Sequence, residues 1–432
     1  MADRFLKNAG EIFRHVGERI DSPFSVELWD GSVIPLGPHA NPNFRIRING
    51  SGVIGAILRR PNLETVLRQY ATGGIDFAGT DLLTFIELGR ARKVRLKPSQ
   101  FRKIYLILRL LPFLAAKGEK ATPASAYAGD KTGAGRARDD SGYIRFHYDL
   151  GNDFYALFLD PEMQYSCAYF RDWQNSLEIA QHDKLDMICR KLRLQPGERF
   201  LDIGSGWGGL LCHAAKNYGV TAHGVTLSEA QFAFTQAKVK ALGLEDRVTV
   251  ELKSYEALDG EFDKIASIGM VEHVGIANYP VYFGKLNGLL RDRGILLNHG
   301  ITRRAKASRR GFKRIGPERR LILKYVFPGS ELDHIGHSLQ SMEAAGFEIH
   351  DVEGWREHYA RTCRLWHQRL VANEAKAVAL VGREKYRIWI AYLAGVSFAF
   401  ADGSLRIYQT VATKHRGKGA SGMPPTREHL YR

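Results

Sequence analysis

The segment Phe200–Gly209 reads FLDIGSGWGG. An apolar run closing on Gly204, Gly206 and Gly209 is the pattern of a buried strand that turns tightly into a helix and lets backbone approach a ligand. The same spacing serves dinucleotides, so the flanks must choose the ligand. In a dinucleotide fold the strand is apolar up to its first glycine, and an acid about 20 residues later takes the ribose hydroxyls. Here Asp202 stands just before Gly204, and the next apolar run, VTAHGVT, ends at Thr226 without an acid. Both observations count against a nicotinamide or flavin site.

Outward from the loop the periods alternate. SLEIAQHDKLDMICRKLRL is helical, RFLDIG a short buried strand, and the pattern continues through AQFAFTQAKVKALG, RVTVEL, FDKIASIG, YFGKLNGLLRD and GILLNHGI. Such alternation predicts a mostly parallel sheet covered on both faces. An acid ahead of G-x-G is the usual first motif of S-adenosylmethionine (SAM) methyltransferases, whose ligand has no pyrophosphate. The expected fold class is therefore α/β: a Rossmann-like SAM methyltransferase fold with a mostly parallel seven-stranded sheet, beside a smaller N-terminal α+β domain.

The 432 residues suffice for two or three domains. Residues 1–118 mix β-like and helical runs, and are expected to form a domain that binds lipid or a partner. Residues 119–140, rich in Ala, Gly and small polar types without periodicity, read as a flexible linker. A catalytic domain follows over 141–414, and 415–432 reads as a disordered basic tail. Lys and Arg exceed Asp and Glu by 62 to 46, a net +16 that points to an anionic partner: nucleic acid, an anionic membrane or an acidic substrate. The N-terminus lacks the apolar core of a secretory signal. The longest apolar run, Ile388–Ala401, falls short of the about 20 residues that span a bilayer. Four scattered cysteines suggest neither a metal site nor a disulfide framework, so the cytoplasm is the expected compartment.

Five segments carry a specific resemblance: HYDLGNDFYALFLDPEMQYSCAYF (His147–Phe170), FLDIGSGWGG, GVTLSEAQ (Gly224–Gln231), SIGMVEHVG (Ser267–Gly275) and LLNHGI (Leu296–Ile301). Together they resemble the cyclopropane-fatty-acyl-phospholipid synthase family, to which the mycolic acid cyclopropane synthases also belong. The resemblance implies methylene transfer from SAM to the cis double bond of unsaturated phospholipid acyl chains, through a carbocation deprotonated by bound bicarbonate. It further implies an enzyme peripheral to the inner face of the cell membrane, with no nucleic acid partner and a homodimer as one arrangement open to it. Three alternatives remain: a SAM-dependent fatty-acyl methyltransferase giving methyl-branched or methylene chains; a nucleic-acid methyltransferase, which lacks support from any N-P-P-Y or D-P-P-Y tetrad; and a non-enzymatic lipid-binding protein, against which the intact SAM loop with Glu272 and His299 counts.

By motif, the resemblance implies a bicarbonate pocket of Cys167 and Ile301 (through their backbones), Glu272, His299 and Tyr359. Each has an ordinary packing alternative: a small core cysteine, a solvated strand-end acid, a core histidine, a helix-face aromatic. The SAM contacts implied are Tyr165, Ser166, Asp202, the loop Gly204, Ser205 and Gly206, then Thr226 and Gln231 in place of a ribose-binding acid, and Tyr255 with Glu256. Two features depart from the family pattern: Ser205 stands where the family's loop often has a cysteine, and a basic stretch is the larger departure. Arg303–Arg320 reads RRAKASRRGFKRIGPERR, nine basic residues and one acid. A solvated loop is the ordinary reading of such a run; the functional one is a membrane-binding surface of Arg309, Arg310, Phe312, Lys313 and Arg314.

Overall fold

The computed structural model describes residues 2–92, 101–116, 142, 147, 150–415 and 419–431; the linker expected over 119–140 lies outside them. The chain forms two compact units, one taking Met1–Ala128, Ile315–Tyr325 and Leu370–Gly395, the other the remainder. Two segments of the stretch expected as catalytic thus belong to the first unit. Specific bonds tie them there. Lys324 Nζ and Tyr325 Oη both donate to Glu64 Oε1, at 2.7 and 2.8 Å. The buried Arg387 guanidinium donates to Tyr70 O at 2.9 Å and to Asp76 at 2.8 Å.

In the first unit, β1 (Ser25–Glu27), β2 (Val33–Pro35), β3 (Arg45–Ile48) and β4 (Ile75–Ala78) make one sheet in the order β2-β1-β3-β4. Its core gathers Ile12, Val26, Leu28, Ile34, Ile48, Val53 and Phe113. The helix Lys103–Leu110 and the turn after it leave Ile104, Ile107, Leu108, Leu111 and Leu114 largely exposed. That spacing places them along one helical stripe.

The second unit holds β5 (Arg199–Ile203), β6 (Thr221–Thr226), β7 (Val248–Leu252), β8 (Phe262–Ile268), β9 (Leu290–Arg303), β10 (Phe347–Gly354) and β11 (Leu405–Lys414). They form a seven-stranded sheet in the order β10-β11-β9-β8-β5-β6-β7. β7, β6, β5, β8 and β9 run parallel, and β11 pairs antiparallel with both β9 and β10. Alternation along β5 explains the two covering layers: Phe200 enters one apolar cluster, Leu201 and Ile203 the other.

The helix Leu177–Leu192 starts where Ser176 Oγ accepts the Ile179 N–H. Its buried face carries Lys184 and Lys191 among Leu185, Ile188 and Leu192. The closing residues depart from the disordered tail expected of them. Among 419–431, Leu430 is 3% exposed, Arg193 donates to Gly422 O at 2.6 Å, and Arg427 pairs with Asp351 at 3.0 Å. The apolar anchors Met423 and Leu430 were hidden from composition by the charges around them. No helix among the described residues is long and apolar enough to cross a membrane.

Candidate active site

The glycine loop lies between β5 and the helix Gly209–Tyr218. Gly204 and Gly206 have φ of 74° and 55°, in the left-handed region that favours glycine. A Cβ on Gly204 would stand 2.4 Å from Met270 Sδ, whereas one on Gly206 would meet nothing within 4 Å. Gly204 is therefore closed by the protein and Gly206 faces open space. Both Gly204 N and Ser205 N donate to Val225 O at 3.0 Å, which pins the loop to β6.

Asp202 is buried at the end of β5, and its Oδ1 has no hydrogen-bond partner among the described residues. Burial pushes its carboxyl up to about 7, with the Lys184 ammonium pulling the other way. Lys184 bonds Gln164 Oε1 at 2.5 Å and Ser166 Oγ at 3.0 Å; burial pulls it down to about 8. Thr226 Oγ1 donates to Gln231 Oε1 at 2.8 Å where β6 ends. Tyr255 stands on a short turn with its ring edge-on to Tyr282, centroids 5.1 Å apart. Glu256, on the same turn, is exposed. The Tyr165 ring packs with Tyr155 and Trp366, at 5.3 and 5.1 Å. These residues fit SAM in kind: an unpartnered acceptor at Asp202, an open Gly206, and hydroxyl and amide groups at the end of β6.

The second group gathers around β9. Glu272 lies beyond the end of β8, on the short helix Val271–Val274. It is not a solvated strand-end acid: it is 5% exposed. Its Oε1 accepts the Ile301 N–H at 2.5 Å, and its Oε2 has no partner among the described residues. Burial pushes this carboxyl up to about 7 against the opposing Ile301 N–H. The Ile301 N–H, named from sequence as an anion donor, thus serves Glu272 in this arrangement.

His299 is on β9, one alternation from Ile301 and so on the same face of the strand. Gln409 on β11 holds its Nδ1 at 3.0 Å, and its buried Nε2 has no partner among the described residues. Burial, then Lys184 and Lys191, keeps it well below the usual imidazole range. Trp355 meets the His299 ring edge-on at 5.3 Å. The buried Cys167 thiol donates to Ala168 O and Trp355 O, and burial raises it well above the ordinary thiol value. Tyr359 donates its N–H to Trp355 O at 3.0 Å, and its ring packs on Phe400 at 4.6 Å. The Cys167 thiol and the His299 ring therefore meet at Trp355, a residue the sequence reading passed over, as it did Lys184, Lys191 and Gln409; Tyr359 follows Trp355 by one helical turn with its ring on Phe400. Two cations on the apolar face of one helix were the available signal.

The basic stretch divides between the units. In the second unit Arg303 lies 3.7 Å over the Phe312 ring, and Phe312 also packs edge-on against His334. Phe312 is thus half-buried rather than a free apolar tip. Arg310 and Arg314 are exposed; the side chains of Arg309 and Lys313 lie outside what the structure describes.

The profile of the family described as mycolic acid cyclopropane synthetase matches residues 136–410. A probable fatty acid methyltransferase of Pseudomonas putida is 38% identical over 414 residues, 95% of this chain and 96% of its own length. The cyclopropane-fatty-acyl-phospholipid synthase of Escherichia coli (strain K12) is 39% identical over 268 residues, 62% of this chain and 66% of its own. A crystal structure of mycolic acid cyclopropane synthase CmaA1 complexed with SAH and CTAB matches with a TM-score of 0.60 and 35% identity, over 64% of this chain and 99% of that one.

Proposed function

Since the chain belongs to the mycolic acid cyclopropane synthetase family of SAM-dependent methyltransferases, we propose that it transfers a methylene to the cis double bond of unsaturated acyl chains carried by phospholipids. One observation supports this beyond family membership: Glu272 Oε2 and His299 Nε2 are buried, polar and without partners among the described residues. Unpaired buried polar atoms are costly, and two near one strand suit a small polar ligand. SAM supplies an electrophilic methyl group when bound. Gly206 leaves room for its close approach, and Asp202, Thr226, Gln231, Tyr255, Glu256, Tyr165 and Ser166 are the residues proposed to hold it.

Bicarbonate would supply a proton acceptor that a methylating reagent does not readily consume. Glu272, His299 and Tyr359 are proposed to hold it, with the Cys167 backbone beside them. Ile301 contributes by anchoring Glu272 through its N–H. With its carboxyl near 7, Glu272 can both accept and release a proton at neutral pH. At 5% exposure Glu272 is removed from bulk solvent, as a site that handles a carbocation requires.

Lipids extracted from cells expressing the chain, read by mass spectrometry and NMR, test the reading. Acyl chains heavier by one CH2 and carrying a ring proton signal are expected; unchanged acyl masses would refute it. The name and 95% coverage of the Pseudomonas putida relative favour a second reading, in which the product is a methyl-branched or methylene chain. The same NMR spectrum separates ring from branch.

A phospholipid substrate requires the enzyme to reach the bilayer. The exposed stripe Ile104, Ile107, Leu108, Leu111 and Leu114 is the proposed lipid-binding feature of the N-terminal unit. The basic stretch, with Arg310 and Arg314 exposed, is proposed to meet anionic headgroups at the inner face of the cell membrane, at roughly 1 kcal/mol per engaged residue.

A further inference from the structure

Burying an ammonium costs several kcal/mol unless it is well paired, and Lys191 is 2% exposed. Its Nζ pairs with the Glu353 carboxylate and donates to Gln409 Oε1 at 2.8 Å. An ammonium has donors only, so the amide oxygen must face it. Gln409 Nε2 then faces His299 Nδ1 at 3.0 Å. That amide nitrogen also only donates, so Nδ1 accepts and carries no proton. The neutral imidazole must bear its hydrogen on Nε2, the buried atom without a partner among the described residues. Trp355 fixes the plane of the ring from the side: it meets His299 at 89°, and Lys191 Nζ lies 5.1 Å from its centroid.

We propose that Lys191 and Gln409 are positioning residues that lock His299 in the Nε2–H tautomer, so that it offers one hydrogen-bond donor to a small anion beside Glu272. The anion rests on the methylene-transfer reading; the tautomer does not. A purely structural pairing of Lys191 with Gln409 would satisfy those two groups and leave the His299 proton unassigned. The charged groups that act on the imidazole are Lys184 and Lys191 on the helix Leu177–Leu192; Glu353 at the end of β10 pairs with Lys191, and Glu272 accepts the N–H of Ile301, two residues along β9 from His299. Burial, and then the two lysines, oppose its protonation, so the neutral tautomer is the state that matters at neutral pH.

Exchanging Gln409→Glu keeps size and the Lys191 partner but places an acceptor against Nδ1. The neutral ring must then turn to the Nδ1–H tautomer, and Nε2 presents a lone pair. Turnover should fall about 10²-fold near neutral pH, the cost of one lost donor in an anion site. It should recover toward acid pH, where the doubly protonated ring offers Nε2–H again, while SAM affinity stays unchanged. Lys191→Met, which frees the Gln409 amide to rotate, should lower turnover about tenfold, as outer-shell changes do. Equal losses at every pH, or no loss, would overturn the proposal.

The decisive measurement needs no variant. In the full chain labelled with 13C- and 15N-histidine, the His299 Cδ2 and ring nitrogen shifts report the tautomer directly. An Nε2–H signal supports the lock, and an Nδ1–H signal overturns it even if every variant misfolds. If the tautomer is found and turnover is indifferent to added bicarbonate, the lock stands and the bicarbonate reading fails.

Discussion

In Glu272→Gln the side-chain oxygen still accepts the Ile301 N–H, while the buried group loses its capacity to ionise. The native carboxyl titrates at about 7 against an ordinary value of 4.5. The folded state therefore holds this proton more tightly than the unfolded chain. Its contribution to stability is fully present below the unfolded value and is lost as pH rises through the folded one. At roughly 1.4 kcal/mol per unit, the gap is worth about 3 kcal/mol. Gln is neutral throughout, so the stability of the variant relative to wild type should rise by about 3 kcal/mol between about pH 4 and pH 8. At about 2–4 °C per kcal/mol, the melting temperatures should diverge by roughly 6–12 °C over that range. Paired thermal melts at half-unit pH steps measure this, read at the transition that SAM shifts, and the difference cancels other titrating groups. A constant or shrinking difference would refute the reasoning and place Glu272 in a wetter setting than its 5% exposure implies.

Gly206→Ala should cost the fold only about 1–2 kcal/mol of left-handed strain, because its Cβ meets no protein atom, yet weaken SAM binding at least tenfold by calorimetry. Gly204→Ala, crowded by Met270, should lower the melting temperature more; equal behaviour of the two variants would mean that Gly206 does not face the ligand. Changing Arg309, Arg310, Lys313 and Arg314 to Ser should abolish salt-sensitive binding to phosphatidylglycerol vesicles and spare turnover on detergent-dispersed lipid. Flotation assays giving wild-type binding at low salt would reduce the run to a solvated loop.

The sheet and its glycine loop were legible because strand and helix periods and an acid ahead of G-x-G are local signals. Each residue carries them without knowledge of its distant neighbours. Glu272 and His299 were reached through motif resemblance, and their burial could not be read from residue type alone. Trp355, Lys191 and Gln409 were missed for a physical reason: their importance lies in contacts across 56 to 218 positions of chain. Lys191 in particular reads as a surface residue until the partners that satisfy its charge are known. The C-terminal residues misled in the opposite direction, since two apolar anchors outweigh a run of Gly, Lys and Arg. The first unit's claim on 315–325 and 370–395 rests on Glu64, Tyr70 and Asp76, again far away in sequence.

The placement of β11 has a consequence for how the chain is made. β11 is the last strand in sequence but not at the sheet's edge: it lies between β9 and β10 and joins them. During synthesis β9 has an open, apolar edge until residues 405–414 emerge, and β10 has no neighbour to pair with. The same late strand brings Gln409, so the imidazole of His299 and the ammonium of Lys191 await their shared partner until then. A nascent chain stalled or cut short before β11 exposes an unpaired strand edge of the kind that recruits other chains. Such products should be insoluble and open to proteolysis rather than partly active, which makes completion of the last strand a checkpoint for the whole catalytic unit.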